Sequence, residues 1–411
     1  MVLIGAGLVA AGAVAGPSFG GLGLLGWGAG LLAFTVLYRA LFAVRAAALA
    51  SAGAVRELRS PPGDGEAFAV RLTVCAGLLG GLDVEVVDGP PRGLVAVDEP
   101  RGRAVVPPGG CGWVEYRLRG RPGRHRWGRA RLVLRDWLGL FEVEASTEPR
   151  GVSAVSIAPR LLGGLARRVL AAAAGYSAAL SSAKPGRGTV FLELREYRPD
   201  DDSRLIDWKS YARTGKLMVK VFEAEEAGRV LIVADLCGGS WGVAGHTLGE
   251  AVARAAYTLA WLSSMRGSSV AVAAEPVGAS TGYLRGRRAV VAAARLLSGL
   301  EYPASGLGPA ECRCKPRVPR PGRGVRLVYV TGLCGGDTGY AEELAGALPP
   351  GSLVAVVAPR PPGGAGLAAR AYRLASARIG AAAEALRGRG LRFLLLAGRE
   401  ARGLEALAMS P

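Results

Sequence analysis

Histidine is almost missing from this chain, and its scarcity narrows the chemistry that the protein can perform. The 411 residues include only His125 and His246, and neither lies in the setting of a catalytic triad. Six cysteines and two histidines show no zinc-finger spacing. Residues 214–216, Thr-Gly-Lys, are not a phosphate-binding loop, because no glycine precedes Gly215 by five residues. The sequence therefore offers no triad, no zinc finger and no nucleotide loop.

Lysine is also scarce, although the chain is strongly basic. The formal net charge is +18, and arginine supplies nearly all of it because lysine occurs only five times. A basic surface suits nucleic acid, anionic lipid headgroups or an acidic protein partner, while a genome rich in G and C produces the same excess of arginine. The basic, proline-rich residues 316–324 lack interleaved aromatic residues, which argues against a nucleic-acid site.

The six cysteines are expected to be unpaired and buried, since disulfides are rare inside cells. Disulfides stay an alternative if the organism is a hyperthermophile, because such organisms form them inside the cell. Cys312 and Cys314 are too close in sequence to act as an ordinary pair of metal ligands. Cys237 and Cys334 each follow a predicted strand end. We therefore hypothesise that these two lie near each other, as a disulfide or in a shared thiol pocket.

Charge is absent from residues 1–38, which is about two membrane spans of roughly 20 residues each. Residues 2–15 and 22–38 are predicted to form a transmembrane hairpin, with a break at residues 16–20. The basic residues Arg39 and Arg45 that follow place the rest of the chain in the cytoplasm. A signal peptide is disfavoured, because a basic n-region is lacking and a second apolar stretch follows. We expect a multi-pass protein of the cell membrane, with residues 1–50 as its anchor.

Residues 51–150 show the alternation of apolar and polar residues that is typical of half-buried strands, as in residues 114–119 and 129–135. Residues 68–74 and 84–87 are two further strand candidates, and Pro- and Gly-rich turns separate the segments. This spacing predicts a small β-sandwich. Eight arginines between Arg117 and Arg135 are expected to form one basic face, either solvated or in contact with lipid headgroups.

Residues 227–411 alternate between apolar runs and helical patterns, which predicts a doubly wound, mostly parallel α/β domain. The predicted strands are residues 230–235, 269–274, 325–331, 353–358 and 391–396. The predicted helices are residues 247–265, 288–300, 340–347, 370–387 and 401–409. Ligands of such a domain bind at the carboxyl ends of the strands.

Residues 151–226 are predicted to connect the two domains through a helix at 165–180 and a loop at 181–188. The end of this segment is dense in polar residues. Its candidate docking residues are Arg195, Glu196, Tyr197, Asp201, Asp202, Arg204, Asp207, Trp208, Lys209 and Arg213. We expect Trp208 to anchor in an apolar pocket and arginine–carboxylate pairs to fix the shape of the loop. Such residues form either a docking or catalytic surface or an ion-paired clasp between domains.

The run from Arg195 to Lys209, followed by Ala212-Arg213, resembles the signature REYxPGDDxRxIDWKxxAR of the "domain of unknown function fifty-eight" family. It departs from that pattern at Asp200, where the family usually has glycine. Residues 136–141, Asp-Trp-Leu-Gly-Leu-Phe, are similar to the segment that closes the family's preceding β-domain. The resemblance covers most of residues 110–240 by motif and the rest by architecture.

This resemblance implies a von Willebrand factor A-like domain after the signature, and a MoxR-type AAA+ ATPase as partner. A von Willebrand A domain binds metal through Asp-x-Ser-x-Ser after its first strand. At the matching residues 235–239 only Asp235 remains, although Ser240 lies close. Magnesium needs several hard oxygen ligands, so we expect the metal site to be degenerate and the protein to use no cofactor. Binding of a divalent cation is the one alternative that the sequence leaves open.

These observations predict a membrane-anchored, non-enzymatic interaction or assembly module that works with the ATPase on protein clients. The first alternative is a hydrolase that uses the carboxylates of residues 200–207 on an acidic substrate. The second is non-specific binding of anionic lipid or nucleic acid, which rests on net charge alone.

Overall fold

The computed structural model describes residues 2–15, 19–50, 52–77, 82–91, 93–136, 140–163, 185–199, 201–223, 228–308, 314–359, 361, 366–387 and 391–396. The chain divides into two compact units, Met1–Ile157 and Ala158–Pro411. The predicted class, a mixture of helices and sheets that includes a mostly parallel sheet, is confirmed. The finer division into four segments stays a prediction.

Two apolar helices begin the first unit, α1 at Val2–Ala15 and α2 at Phe19–Ala50. Gly28 of α2 permits their close approach, since a Cβ atom there would lie 2.7 Å from the backbone nitrogen of Val9. Residues Gly23–Leu49 are long and apolar enough to cross a membrane. Helix α1 has 14 residues, fewer than the roughly 20 that a perpendicular span requires. One candidate span is therefore seen, while a second span and the orientation stay predictions.

Eleven strands follow in the described part of the first unit. They are β1 Gly53–Leu58, β2 Ala67–Cys75, β3 Leu82–Val87, β4 Val95–Ala96, β5 Arg101–Val106, β6 Cys111–Arg119, β7 Gly123–Arg126, β8 Ala130–Arg135, β9 Glu142–Thr147, β10 Arg150–Gly151 and β11 Ala154–Ile157. A five-stranded sheet has the order β10-β1-β2-β6-β4, a four-stranded sheet has the order β5-β3-β8-β9, and β11 pairs with β7. Burial alternates residue by residue along β6, as the sequence pattern predicts.

One hydrophobic cluster draws side chains from both larger sheets and from α2. It includes Leu72 of β2, Val84 of β3 and Leu132 of β8, together with Phe42 and Leu49 of the helix. The end of α2 is therefore held against the sheets by buried apolar contacts, which are the main source of favourable folding energy.

Residues 136–141 resemble the segment that closes the family's β-domain, and both ends of this segment make contacts in the structure. Residues 137–139 lie outside the described ranges. The carboxylate of Asp136 accepts hydrogen bonds from the Phe141 N–H at 2.5 Å and from the Tyr38 hydroxyl at 2.7 Å. The Phe141 ring stacks on Phe42 with ring centroids 5.5 Å apart. The segment thereby ties the loop before β9 to α2.

A buried ion pair crosses the first unit. Arg56 and Asp88 are 1% and 3% exposed, and two guanidinium nitrogens of Arg56 donate to the two carboxylate oxygens of Asp88 at 2.9 and 2.5 Å. The hydroxyl of Tyr116 donates to the same carboxylate at 2.5 Å. Arg56 also donates to the carbonyls of Val152 and Gly128. Each charge is thus compensated, as burial requires.

The expected single basic face is wrong, because the strands that carry its arginines belong to three different sheets. Arg117, Arg131 and Arg135 pair with carboxylates of neighbouring residues. Arg121 is 2% exposed and donates to the carbonyl of Gly93. The remaining arginines of the run point to solvent from β6, from β7 and from the turn before β8, so the positive charge is dispersed.

The second unit is built on a six-stranded sheet with the order β16-β15-β14-β17-β18-β19. Its strands are β14 Arg229–Asp235, β15 Ser269–Glu275, β16 Ala279–Ser280, β17 Val325–Thr331, β18 Leu353–Val357 and β19 Arg392–Leu396. All neighbours are parallel except β15 and β16. The five predicted strands agree with the structure to within one residue at each end.

Helices cover both faces of this sheet. They are α4 Leu248–Met265, α5 Gly286–Ser298, α6 Thr338–Ala347 and α7 Leu367–Arg387. Ile232 packs in a cluster with residues of α4 and α5, whereas its neighbour Val233 packs with residues of α6 and α7. Thr247 and Glu250 form a capping box that starts α4. The predicted helix at 401–409 lies outside the described residues.

We predict that Arg56→Met lowers the free energy of unfolding of the first unit by about 3–5 kcal/mol, because it leaves the buried Asp88 carboxylate without its cation. Hydrogen exchange of the β1 and β2 amides in the detergent-solubilised chain reports this loss. The control is Arg103→Met, which breaks the exposed pair with Asp83 and is expected to leave exchange unchanged. Equal effects of the two variants would contradict the role given to the buried pair.

Candidate functional site

The signature is a strand–turn–helix–strand unit, where the sequence predicted a loop. Strand β12, Pro185–Glu196, pairs antiparallel with β13, Met218–Glu223. Between them lie a 3₁₀ turn at Ser203–Leu205 and the short helix α3 at Trp208–Thr214. The predicted loop at 181–188 is wrong from residue 185 onward, since β12 begins there, and the predicted helix at 165–180 lies outside the described residues.

Two residues set the local path of the chain within this unit. The side chain of Asp202 caps the 3₁₀ turn by accepting from the Arg204 N–H at 3.0 Å, as an N-cap carboxylate does. Gly215 ends α3 in the left-handed conformation with φ of 71°, which glycine adopts without a Cβ penalty. The signature therefore has defined turns at its start and its end.

The principal ion pair of the signature joins Arg195 to Asp201. Two guanidinium nitrogens of Arg195 donate to the two oxygens of Asp201, one of them at 2.7 Å. The Arg198 N–H also donates to Asp201 at 2.8 Å. Arg195, followed by the Arg198 amide, holds the pKa of the Asp201 carboxyl below its usual value. This fork closes the turn after β12.

The other signature carboxylates also have partners within the chain, but not the expected ones. Asp207 lies 3.3 Å from the ammonium of Lys220, and Glu196 lies 3.6 Å from that of Lys216. Tyr197 is half-buried, and its backbone N–H donates to the carbonyl of Leu217. Asp207 and Glu196 thus pair with lysines on or just before β13, and not with the arginines of the turn and helix between the two strands.

Three cations of the signature stay exposed. Arg204, Lys209 and Arg213 form no ion pair within the part of the chain that the structure describes. Asp202 caps a turn through the Arg204 N–H, and Asp207 faces Lys220. Asp200 lies outside the described residues.

Trp208 is exposed, and the expectation of an apolar anchor is wrong. Its side chain is 63% exposed, and it makes an edge-to-face contact with Tyr211, which is 44% exposed, at a centroid distance of 6.2 Å. Helix α3 has only seven residues and buries only Ser210. The first residue of so short a helix has no core to enter. We call Arg204, Trp208, Lys209, Tyr211 and Arg213 the signature surface.

A second polar cluster lies at the carboxyl end of the parallel strands. Asp235, at the end of β14, is 2% exposed. It accepts hydrogen bonds from the Thr331 hydroxyl at 2.6 Å, the Tyr340 hydroxyl at 2.8 Å and the Cys237 N–H at 3.0 Å. Burial raises the pKa of the Asp235 carboxyl, and these hydrogen bonds oppose the rise only in part. The carboxylate ties the loop after β14 to β17 and α6.

These contacts bear on the expected metal site. Both oxygens of Asp235 are occupied by donors of the protein, and the carbonyl of Ser240 accepts from the Ser305 N–H at 2.7 Å. No group of three or more histidine, cysteine, aspartate or glutamate side chains that could hold a metal ion occurs among the residues with described positions. The expectation of a degenerate metal site at Asp235 and Ser240 stays a prediction.

The expectation of free thiols is wrong. Cys75 and Cys111, on paired strands, form a disulfide, and Cys237 forms one with Cys314. Cys334 is also disulfide-bonded. The predicted proximity of Cys237 and Cys334 is confirmed, since their sulfurs are 4.0 Å apart. Neither hypothesised arrangement, a mutual disulfide or a shared thiol pocket, is formed, because Cys237 is bonded to Cys314 and Cys334 is disulfide-bonded as well. Cys312 lies outside the described residues.

Comparison with known proteins bears directly on the signature. The family model described as "Protein of unknown function DUF58" matches residues 193–313. The chain carries a DUF58 region. No curated protein matches the chain. The resemblance predicted from Arg195, Trp208 and their neighbours is thus confirmed, and the matched DUF58 region contains both the signature surface and Asp235.

The sequence reasoning missed three residues of the DUF58 region and its surroundings. Tyr211 stands three positions after Trp208, a spacing that places two side chains on one side of a helix, so this contact was detectable. Lys220 lies on β13, a strand that the sequence analysis does not predict, so its pairing with Asp207 was not foreseen. Tyr340 reaches Asp235 from a helix more than a hundred residues away, and no local pattern indicates that contact.

We predict that Arg195→Ala raises the pKa of the Asp201 carboxyl toward the ordinary value of about 3.9, because the fork that stabilises the anion is lost. In the wild type, the lowered pKa of Asp201 means that its ion pair stabilises the turn fully when the pH is above the pKa of the unfolded chain. This stabilisation is lost as the pH falls through the pKa of the folded protein. Carbon-13 titration of labelled aspartate carboxyls measures the midpoint, with Asp201→Asn to assign the signal. An unchanged midpoint in the variant would contradict the pairing.

For Asp235 the dependence of stability on pH has the opposite sign. Its raised pKa means that the wild type loses stability as the pH rises from about 3.9 through the folded pKa. We predict that Asp235→Asn, which cannot ionise, gains stability relative to the wild type over that interval. Urea denaturation at a series of pH values, with Asp98→Asn as an exposed control, measures the difference. A difference that stays constant with pH, or falls, would show that desolvation does not dominate at Asp235.

Proposed function

We propose that this chain is a membrane-anchored, non-enzymatic interaction module that binds a partner protein through the signature surface. The observation that carries the proposal is the exposed contact of Trp208 with Tyr211, in a segment whose cations Arg204, Lys209 and Arg213 are also exposed. Tryptophan, tyrosine and arginine are the residue types that dominate the binding energy of protein interfaces.

Charge indicates the kind of partner. The carboxylates Glu196, Asp201 and Asp207 are engaged by Lys216, Arg195 and Lys220, so their charges are already compensated within the chain. The cations of the signature surface form no such pair with any carboxylate among the described residues. An acidic patch on the partner would neutralise them and steer its approach, while the two aromatic rings would supply apolar area on contact.

The partner that the family resemblance suggests is an AAA+ ATPase of the MoxR type, which would act with this chain on protein clients. The same resemblance suggests that the parallel sheet of the second unit is von Willebrand A-like. Helices on both faces of that sheet and the single antiparallel edge strand β16 are compatible with this assignment. The packed sheets of the first unit are likewise compatible with a β-sandwich.

Membrane attachment rests on α2, whose residues Gly23–Leu49 are long and apolar enough to cross a bilayer. We propose that α1 completes a hairpin and that both soluble units face the cytoplasm, as the basic residues Arg39 and Arg45 favour. Anionic lipid headgroups would then lie near Arg39 and Arg45. The dispersal of arginine over the first unit gives no specific support to non-specific lipid or nucleic-acid binding as the main role.

The hydrolytic alternative gains no specific support from the signature carboxylates. A general acid or base needs freedom to exchange a proton with substrate, and Asp201 is held by a bidentate pair while Asp202 caps a turn. The von Willebrand-type metal is not required by the proposal, because binding through the signature surface involves none of the residues around Asp235.

Affinity purification of the detergent-solubilised chain from its own cells tests the proposal. We predict that the wild type recovers an AAA+ ATPase and that Trp208→Ala combined with Arg213→Glu recovers at least tenfold less, because both the aromatic and the ionic contacts are lost. The matched control is Trp113→Ala, whose ring is 55% exposed in the first unit.

Three outcomes are informative. Loss with the signature variant alone supports docking at this surface. Equal recovery by all three baits places docking elsewhere and contradicts the proposal. Recovery of no ATPase by the wild type contradicts the suggested partner. Circular dichroism of each bait establishes that the variants are folded.

A further inference from the structure

A group of exposed arginines lies at the amino end of the parallel sheet, opposite the end that holds Asp235. Arg229 begins β14 and pairs there with Ser269 of β15 and with Val325 of β17. Four segments of the chain bring arginines to this end, and we call these residues the basic edge: Arg229, Arg266, Arg285, Arg287, Arg288 and Arg323. We propose that the basic edge docks on a membrane surface by binding the phosphates of anionic lipid headgroups.

Contacts between the helices and β15 show that these segments converge. After β16 the chain runs back along β15, so that Leu284 and Val270 exchange backbone hydrogen bonds of 2.7 and 3.0 Å. The Ser264 hydroxyl, near the end of α4, donates to the carbonyl of Gly286, the first residue of α5, at 2.8 Å. The end of α4 and the start of α5 therefore lie beside the first residues of β15.

The charges of the basic edge are not neutralised within the described part of the chain. None of its six guanidinium groups forms an ion pair with a described carboxylate. Arg229 lies over the ring of Tyr283, 6.0 Å from its centroid, and such a contact leaves the positive charge in place. Charges of one sign that are gathered on one surface attract anions from solution.

Three of these arginines stand where the helix dipole disfavours them. Arg285 precedes α5 without forming a side-chain cap, and Arg287 and Arg288 follow in a first turn that contains no acidic residue. The amino end of a helix carries partial positive charge and favours anions. These arginines therefore do not stabilise α5, and phosphate groups beside them would offset the repulsion.

Apolar side chains beside the arginines favour a bilayer over a nucleic acid. Met265 and Tyr283 are 70% and 41% exposed, and a tyrosine is suited to the headgroup region because its ring is apolar and its hydroxyl is polar. Single-stranded nucleic acid is instead bound by several aromatic rings on which successive bases stack. Tyr283 is the one aromatic residue in the described segments that carry the six arginines, and Arg229 lies over its ring.

Membrane attachment of the same chain would keep the basic edge within reach of lipid. Residues Gly23–Leu49 are long and apolar enough to cross a bilayer, and a tether raises the effective concentration of the second partner. Clusters of about four to eight basic residues are typical of surfaces that bind anionic membranes. This step rests on the membrane attachment in the proposed function, whereas the contact with lipid needs no partner protein.

The test embeds the full chain in nanodiscs of phosphatidylcholine and measures how much of it floats with added vesicles. The vesicles contain phosphatidylcholine alone or phosphatidylcholine mixed with phosphatidylglycerol. We predict that the mixed vesicles recover at least tenfold more wild type than the neutral vesicles do, because only they carry net negative charge. Recovery should fall steeply as sodium chloride is added, since salt screens exposed charges.

A pair of charge-matched variants locates the contact. Arg266→Glu, Arg287→Glu and Arg288→Glu combined should lower recovery by the mixed vesicles at least tenfold. The control makes the same change of net charge at exposed positions of α7, and it should bind as the wild type does: Arg370→Glu, Arg373→Glu and Arg378→Glu combined. Circular dichroism establishes that both variants are folded.

Several outcomes overturn the proposal. They are equal recovery by neutral and mixed vesicles, full recovery of the basic-edge variant, and equal loss in both variants, which would show that net charge alone determines binding. Wild type that binds single-stranded DNA but not the mixed vesicles would assign the surface to nucleic acid and would overturn the proposal as well.

Failure of this proposal is distinguishable from failure of the proposed function. Vesicle flotation contains no ATPase, so its result does not depend on docking at the signature surface. A chain that does not enter nanodiscs would contradict the proposed membrane attachment. Added directly to the two kinds of vesicle, that chain would still show whether the basic edge binds anionic lipid.

Discussion

The cost of removing a charge from water governs both units of this protein. Where a charge is buried, the chain supplies a full set of partners, as Arg56 and Asp88 do for each other and as Thr331 and Tyr340 do for Asp235. These contacts join elements that are far apart in sequence. An unpaired charge in either position would cost several kcal/mol, so each network also fixes which elements pack together.

The same constraint makes the signature informative. Its carboxylates are used locally, to shape turns and to pair with cations on or beside β12 and β13. Its cations Arg204, Lys209 and Arg213 incur no desolvation penalty, since they remain in water. Trp208 and Tyr211 remain exposed beside them because α3 is too short to pack on a core. A segment with defined turns that exposes cations and aromatic rings is suited to recognition.

Local patterns predicted the regular parts of the fold well. Strand β17 matches its predicted bounds of 325–331, and the alternation in β6 correctly indicated which side chains are buried. These features depend on neighbours along the chain, where hydrophobic periodicity is a direct signal. The family resemblance was likewise readable because the signature is a continuous run of residues.

Long-range pairing explains most of what the sequence did not predict. Cys237 and Cys314 are 77 residues apart, and only the order of the parallel strands and the path of the loop before β17 bring them together. The dispersal of the arginines between 117 and 135 depends on strands entering three separate sheets. The prediction that Trp208 is buried failed for a different reason. A tryptophan side chain is normally buried, but helix α3 is too short to pack this one against a core.

The most direct test of the central claim is hydroxyl-radical footprinting of Trp208 and Tyr211, in membranes from the protein's own cells and in the purified chain. Trp113 serves as the exposed reference. Docking predicts that both residues are oxidised readily in the purified chain and are protected in the membranes, while Trp113 reacts equally in both. Protection that persists in the purified chain would show that the signature is buried within the protein itself. Equal reactivity in both samples would show that no partner covers it.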